Sequence, residues 1–477
     1  MHNNSSLITQ SGQRAAFWAE FYAVLCLVCS LIGAGFFDRL TGVLSILSTF
    51  LFYIVCRYSK RYLMGDPGQG RFMFWLCMTG SFVFALILSQ NLLLFSLAWC
   101  GISLSLHQLL QFYRDRQPAL LAARKKFIIS RLGDTALLGA LVLTYREFGT
   151  WDFQSIFIAA ERLRAAGLAN VPLSVNLVCG LLVFAALLKS AQFPFHSWLP
   201  DTMETPTPVS ALMHAGIINA GGILIIRLSP LISLSDSAMR ALCLVGGFTA
   251  LFASIVMLTQ ASIKRCLAFS TVAQMGFMML ECGLGAFHLA LLHLAAHSFY
   301  KAYAFLSSGS VVLRGFERSQ FSISPIAVLS CILAAFAINF SIATWMGVAP
   351  LEQFALNGIF SLALAQMLWS LWTQVTEPWR LPLSVVVGGV LSAIYFALDR
   401  VAELVVSSAQ SNTHWYGLTI LLLFIIISVI QSQLPLFVGT PLGRRIYVHA
   451  RNGFYFNTLA NRLTTALWPV KVSQGGN

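Results

Sequence analysis

Apolar runs of roughly 20 residues, the length an α-helix needs to cross a bilayer, succeed one another along almost the whole of this 477-residue sequence. They lie near residues 16–36, 40–56, 72–89, 92–112, 127–145, 175–193, 209–227, 240–259, 266–281, 285–313, 325–345, 355–372, 381–398 and 417–438. The expected fold is therefore an all-α polytopic membrane protein of about fourteen transmembrane helices. Composition agrees: 57% of residues are hydrophobic and 10% charged, whereas a soluble domain carries about 25% charged residues. The start, MHNNSSLITQSGQR, is polar, and the first apolar run is long enough to remain as a span. No cleavable signal peptide is expected.

A net charge of +13 would suit nucleic acid, but its distribution does not. On alternate connections stand Arg14, then Arg57, Lys60, Arg61 and Arg71, then Arg114, Arg116, Arg124, Lys125 and Lys126, then Lys264 and Arg265, then Arg314 and Arg318, then Arg380, and finally Arg444, Arg445, Arg451, Arg462 and Lys471. The opposite connections hold fewer: Arg39, Arg146, Arg162, Arg164, Arg240 and Arg400. This is the positive-inside asymmetry, which places both termini in the cytoplasm. No nucleic-acid partner is expected, and lipid is the surrounding phase.

Four basic residues fall within spans or at their ends: Arg131, Lys189, Arg227 and Lys301. A basic group at mid-bilayer costs about 2.5–3.5 kcal/mol on insertion scales. Arg131 and Arg227 lie near helix ends, where a long side chain can snorkel. Lys189 and Lys301 lie deeper and are read as functional.

The densest pattern is LLKSAQFPFHSWLPD at 187–201, continuing as METPTPVSALMHAG at 203–216. Pro194 removes a helix hydrogen bond and clashes with the preceding turn, so the span should break there, one turn beyond Lys189. Pro200, Pro206 and Pro208 extend the interruption. Broken backbone at membrane depth is tolerated only against protein or a water-filled cavity. A desolvated lysine beside such a pocket is a candidate proton-loading site. His214, in the next span, can pass a proton in either direction and is placed opposite Lys189 as a relay partner.

The second pattern is HLAAHSFYK at 293–301. Spacings of four and four put His293, His297 and Lys301 on one helix face, about 6 Å apart along the axis. Three titratable groups on a buried stripe suit a proton wire. The rival reading is a zinc site, since HxxxH can ligate metal, but the glutamate of HExxH is missing and no third ligand is evident. No metal is expected in this chain. Arg131 and Asp134, three apart, are expected to form a structural ion pair. Cys26 and Cys29 form a CxxC without a second ligand pair and are read as packing residues. Gly221-Gly222 and Gly246-Gly247 allow close helix approach. The connection at 146–174 suits a short amphipathic helix. The basic, aromatic tail beyond 440 suits an interfacial helix that anchors to lipid or docks a partner.

KSAQFPFHSWLPDTMETPTPVSALMHAG, IKRCLAFSTVAQMGFM and HSFYKAYAFLSSGSVV resemble the antiporter-like membrane subunits of respiratory complex I and the Mrp-type cation/proton antiporters, over roughly residues 70–345. The resemblance implies two inverted five-helix repeats, each with a broken helix. Here they would occupy 72–230 and 231–400, after N-terminal helices at 1–71 and before a last span at 401–440 and a cytoplasmic tail at 441–477. It also implies proton relay by Lys189 and Lys301 with His214, His293 and His297. HAGIINAGGILIIRLSPL, with QMGFMMLECGLG and HSFYKAYAFLSSGS, is similar to one branch, the membrane subunits of bacterial inorganic-carbon accumulating complexes. There the partner, DabA, is a large peripheral protein with a zinc site like that of β-carbonic anhydrases. A multi-pass subunit of the bacterial inner membrane is implied, passing H+ or Na+ to drive CO2 hydration or bicarbonate uptake, with zinc only in the partner. The connections at 57–71 and 113–126 would help to dock that partner.

Two departures stand out. Respiratory members carry Trp-Glu-Gly where this sequence reads Trp99-Cys100-Gly101. They also carry a lysine in the second broken helix, and Thr344–Pro350 has none. Glu281, Asp134 or a partner group could substitute for the glutamate. The sequence also stops where the longest members continue into a lateral helix, which favours a shorter path centred on one repeat. The alternative functions are a proton-pumping subunit of a respiratory or hydrogenase complex, or a free-standing cation/proton antiporter.

Overall fold

The computed structural model describes residues 2–167, 171–309, 325–348, 354–373, 380–408, 414–432 and 439–469. Among them, ten helices are long and apolar enough to cross a membrane. The chain is an all-helical, multi-pass membrane protein, and each of the fourteen apolar runs overlaps a helix. Thr344–Val348 of the lysine-free stretch is described; Ala349 and Pro350 lie outside the described residues, as do Arg314, Arg318 and Lys471.

One compact unit comprises Met1–Gly283, His293–Leu313 and Gly453–Asn477. It contains α1 (His2–Gly33), α2 (Arg39–Tyr62), α3 (Gln69–Leu88), α4 (Leu92–Leu110), α5 (Gln117–Phe148), α6 (Phe153–Ala165) and α7 (Leu173–Lys189). The short α8 (Trp198–Asp201), α9 (Thr207–Ala215), α10 (Ala220–Arg227) and α11 (Ser229–Ile232) follow, then α12 (Asp236–Leu258), α13 (Ile263–Gly283) and most of α14 (Phe287–Leu306). The start of α14 belongs to the second unit, Leu284–Leu292 and Arg314–Asn452. That unit holds α15 (Pro325–Trp345), α16 (Phe354–Thr373), α17 (Arg380–Glu403), α18 (His414–Ser432) and α19 (Pro441–Arg451). The last helix, α20 (Phe456–Leu467), returns to the first unit.

Local signals set the helix ends. Asp38 and Asn91 cap α2 and α4 by accepting from Thr41 N at 3.0 Å and Leu94 N at 2.8 Å. Gly149, with φ 67°, closes α5 in the left-handed conformation that glycine adopts without strain. Asp152 starts α6, the short helix expected at 146–174. Small residues set the spacing of α12 and α13: a Cβ on Gly246 would lie 2.6 Å from Leu280 N, and one on Gly276 2.6 Å from Ala250 N.

The span expected at 209–227 is not one continuous helix. Gly216, at φ −122° and ψ −72°, leaves the helical region, and Ile217–Asn219 form a 3-10 turn between α9 and α10. The preceding break also differs in place. α7 ends at Lys189 itself, with Ser190 as its C-cap, so the lysine stands at the break rather than a turn before it. α10 packs against that end so closely that a Cβ on Gly221 would meet Ser190 Oγ at 2.3 Å and Ala186 O at 2.5 Å.

Candidate functional site

Around the end of α7, the helix break leaves Lys189 inside the protein, 8% exposed. Its ammonium donates to Ser103 Oγ at 2.9 Å and Trp99 O at 3.3 Å, both on α4. It also lies 4.4 Å from the Trp99 ring centroid, a favourable seat for a desolvated cation. Lys301 on α14 is fully buried and has the same kind of seat on α13, donating to Ser270 Oγ at 2.8 Å and Leu267 O at 3.2 Å. Each lysine therefore has one serine hydroxyl and one carbonyl, and among the described residues neither makes a salt bridge with a carboxylate. Two acceptors match the two N–H groups of a neutral amine; an ammonium has a third to place.

Arg131 and Asp134 form the expected ion pair, at 2.6 Å. Asp134 is the carboxylate whose charge reaches Lys189, and Cys100 abuts it. The position that carries glutamate in respiratory relatives thus faces an aspartate on the neighbouring α5. The other candidate substitute, Glu281 on α13, bonds His293 Nδ1 at 2.9 Å.

His214 packs towards α13 and α14. Its ring stacks on Phe305 at 4.3 Å, its Nδ1 lies 3.0 Å from Thr271 Oγ1, and the charge that reaches it is that of Lys301. Sequence spacing from Lys189 was a poor guide because a multi-turn loop and four prolines separate the residues. The facing direction of α9 is set by its packing. His293 and His297 do lie along one stripe, with ring centroids 6.2 Å apart, and His297 is buried, with no hydrogen-bond partner for either ring nitrogen among the described residues. Among the described residues, no three His, Cys, Asp or Glu side chains converge to hold a metal ion.

The prolines frame the break. The Phe193–Pro194 peptide is cis, Pro200 lies in α8, and Pro206 and Pro208 introduce α9. Proline at the start of a helix forfeits no hydrogen bond.

Lys125 and Lys126, read from sequence as loop charges, lie within α5 and are 1% and 3% exposed. They are not available to dock a partner. Lys125 bonds Asp201 Oδ2 at 2.6 Å and Asn457 Oδ1 at 2.5 Å, and Asn457 Nδ2 donates to Asp201 Oδ1 at 2.9 Å. Phe456 packs on Phe193 at 4.8 Å. The second half of the tail therefore packs on its own chain, beside the broken helix. Arg227 does not snorkel: it is buried and donates to Ser89 O at 2.8 Å, Ile87 O at 2.9 Å and Thr41 Oγ1 at 2.7 Å.

Sequence reasoning missed Ser103 and Ser270, because serine is common in apolar helices and only contact reveals its use. It also missed a pair in the second unit, His288 Nε2 and Asp399 Oδ1 at 3.1 Å.

The profile of the NADH:quinone oxidoreductase/Mrp antiporter transmembrane family matches residues 89–379. The chain is 38% identical over 457 residues to the probable inorganic carbon transporter subunit DabB2 of Halothiobacillus neapolitanus, covering 92% of this chain and 81% of that one. The chain belongs to this family, in its DabB branch. A second DabB, from Hydrogenovibrio crunogenus, is 38% identical over 449 residues, covering 91% of this chain and 83% of the relative. The fold is that of a chain in the Mrp complex from Dietzia sp., with a TM-score of 0.57 at 20% identity. That alignment covers 97% of this DabB-branch chain and 55% of the Mrp chain, so the chain spans little more than half of that neighbour's length.

Proposed function

We propose that this chain conducts H+ or Na+ across the bacterial inner membrane and so energises inorganic-carbon uptake, as CO2 or bicarbonate, by a peripheral carbonic-anhydrase-like zinc partner of the DabA type. Its termini face the cytoplasm, its helices form two inverted repeats, and zinc resides in the partner. The observation that carries the reading is the seating of Lys189 and Lys301, each buried on a serine hydroxyl and a carbonyl. A buried lysine locked to a carboxylate holds its proton as part of a salt bridge, whereas these seats accommodate both the charged and the neutral amine. His214 and the His293–His297 stripe supply acceptors around Lys301. DabB relatives matched over more than 80% of their length, and Cys100 in place of the respiratory glutamate, favour carbon uptake over a respiratory complex or a free-standing antiporter.

The test is Lys189→Ala in the intact complex. Expected is a loss of carbon uptake by about tenfold or more, read as a requirement for high CO2, because the charge-carrying group at mid-membrane is gone. Assembly with the partner is retained. Growth of the variant in air at the wild-type rate, in a strain without another uptake system, would overturn the reading.

A further inference from the structure

Lys126 has no part in the relay described so far, yet it is buried and points into the same place. Its Nζ donates to Ser103 O at 3.0 Å, while Lys189 Nζ donates to the hydroxyl of that same serine at 2.9 Å. One residue of α4 thus carries a lysine from α5 on its carbonyl and a lysine from α7 on its side chain. The surrounding charged and titratable groups are few. α4 contributes Cys100 and His107, whose Nε2 lies 3.0 Å from the amide nitrogen of Gln111. α5 contributes Arg131 and Asp134, already joined at 2.6 Å. Asp134 is the one carboxylate in this group, and it is paired with Arg131. Two ammonium groups here would leave a buried, uncompensated double positive charge, which a medium of low dielectric strongly disfavours.

From this geometry we infer that Lys126 is a second proton-carrying residue, sharing one excess proton with Lys189 across Ser103. The inference rests on the proposed conduction through Lys189 and adds a residue to it. A proton arriving at Lys126 forms an N–H bond on its neutral amine. Repulsion then breaks an N–H bond of the Lys189 ammonium, whose proton passes to a water molecule. Charge and proton count are unchanged at the pair; transfer of the remaining proton from Lys126 to the neutral Lys189 then restores the starting state, so each entry is tied to one exit. A second lysine thus does by repulsion what a carboxylate at position 100 would do by attraction.

Lys126→Arg and Lys126→Gln in the intact complex test this, with carbon-dependent growth and the melting temperature of the purified complex as readouts. Both keep an N–H donor for the Ser103 carbonyl, but arginine cannot release its proton and glutamine has none to carry. Expected is loss of uptake by about tenfold or more in both, since buried ionisable groups on such paths are rarely dispensable, with the melting temperature within a few degrees of wild type. Wild-type uptake in either variant overturns the inference. So does loss of uptake only alongside a collapsed melting temperature in both, which assigns Lys126 a structural role. If Lys189→Ala is inactive while Lys126→Arg is active, the shared proton fails and conduction through Lys189 stands. Wild-type uptake in Lys189→Ala removes both.

Discussion

A buried amine or imidazole must find partners for its N–H groups, and the partners it finds fix what it can do. Lys189 and Lys301 find hydroxyls and carbonyls, while Arg227 finds three oxygens that do not titrate and is held as a structural pin. His293 differs again, being bonded to Glu281, which is 5% exposed. Glu281→Gln keeps the shape but removes the charge. It should cost about 1–2 kcal/mol, the difference between a charge-assisted and a neutral hydrogen bond, seen as a lower melting temperature of the purified complex. If His293 lies on the ion route, uptake falls several-fold as well. Wild-type uptake with reduced stability would confine the pair to a structural role.

At the scale of elements, the interruptions place the chemistry. α7 stops at Lys189, and α9 stops just after His214, at Gly216. Asn219 in the second interruption donates to Ala215 O at 3.0 Å and Ser298 Oγ at 2.8 Å, satisfying backbone and side-chain groups that the break frees. The α8 segment between α7 and α9 is held by Lys125, Asp201 and Asn457, which joins α5, α8 and α20. Asp201→Asn would leave the Lys125 ammonium, with a side chain 2% exposed, without its counter-charge. Removing one partner of a buried pair costs about 3–5 kcal/mol, so the purified complex should melt at a clearly lower temperature. An unchanged melting temperature would show that α20 and the α8 segment do not depend on this ion pair.

For the molecule as a whole, the expectation concerns where zinc and partner reside. Purified through a tag on this chain, the complex should contain a large peripheral zinc protein. After that protein is stripped away, metal analysis should find zinc in the stripped fraction. About one equivalent of zinc retained by the membrane chain would instead revive a metal site of its own. Arg57, Arg61 and Arg71 are exposed towards the end of α2 and at the start of α3, whereas Lys125 and Lys126 are buried inside the bundle.

The apolar runs and sparse charge were enough to read a polytopic helical protein, because desolvating the backbone and burying charge in lipid are penalties written residue by residue. The same penalties picked out Lys189 and Lys301, and helical spacing put His293 and His297 on one stripe. Partner choice was not legible. His214 stacked on Phe305 of α14, the helix that carries Lys301; Lys126 left its supposed loop for the neighbourhood of Lys189; and α20 packed on its own chain. Sequence patterning records which side chains avoid lipid or water. Which of them meet depends on how helices distant in sequence pack, and only the tertiary structure decided that.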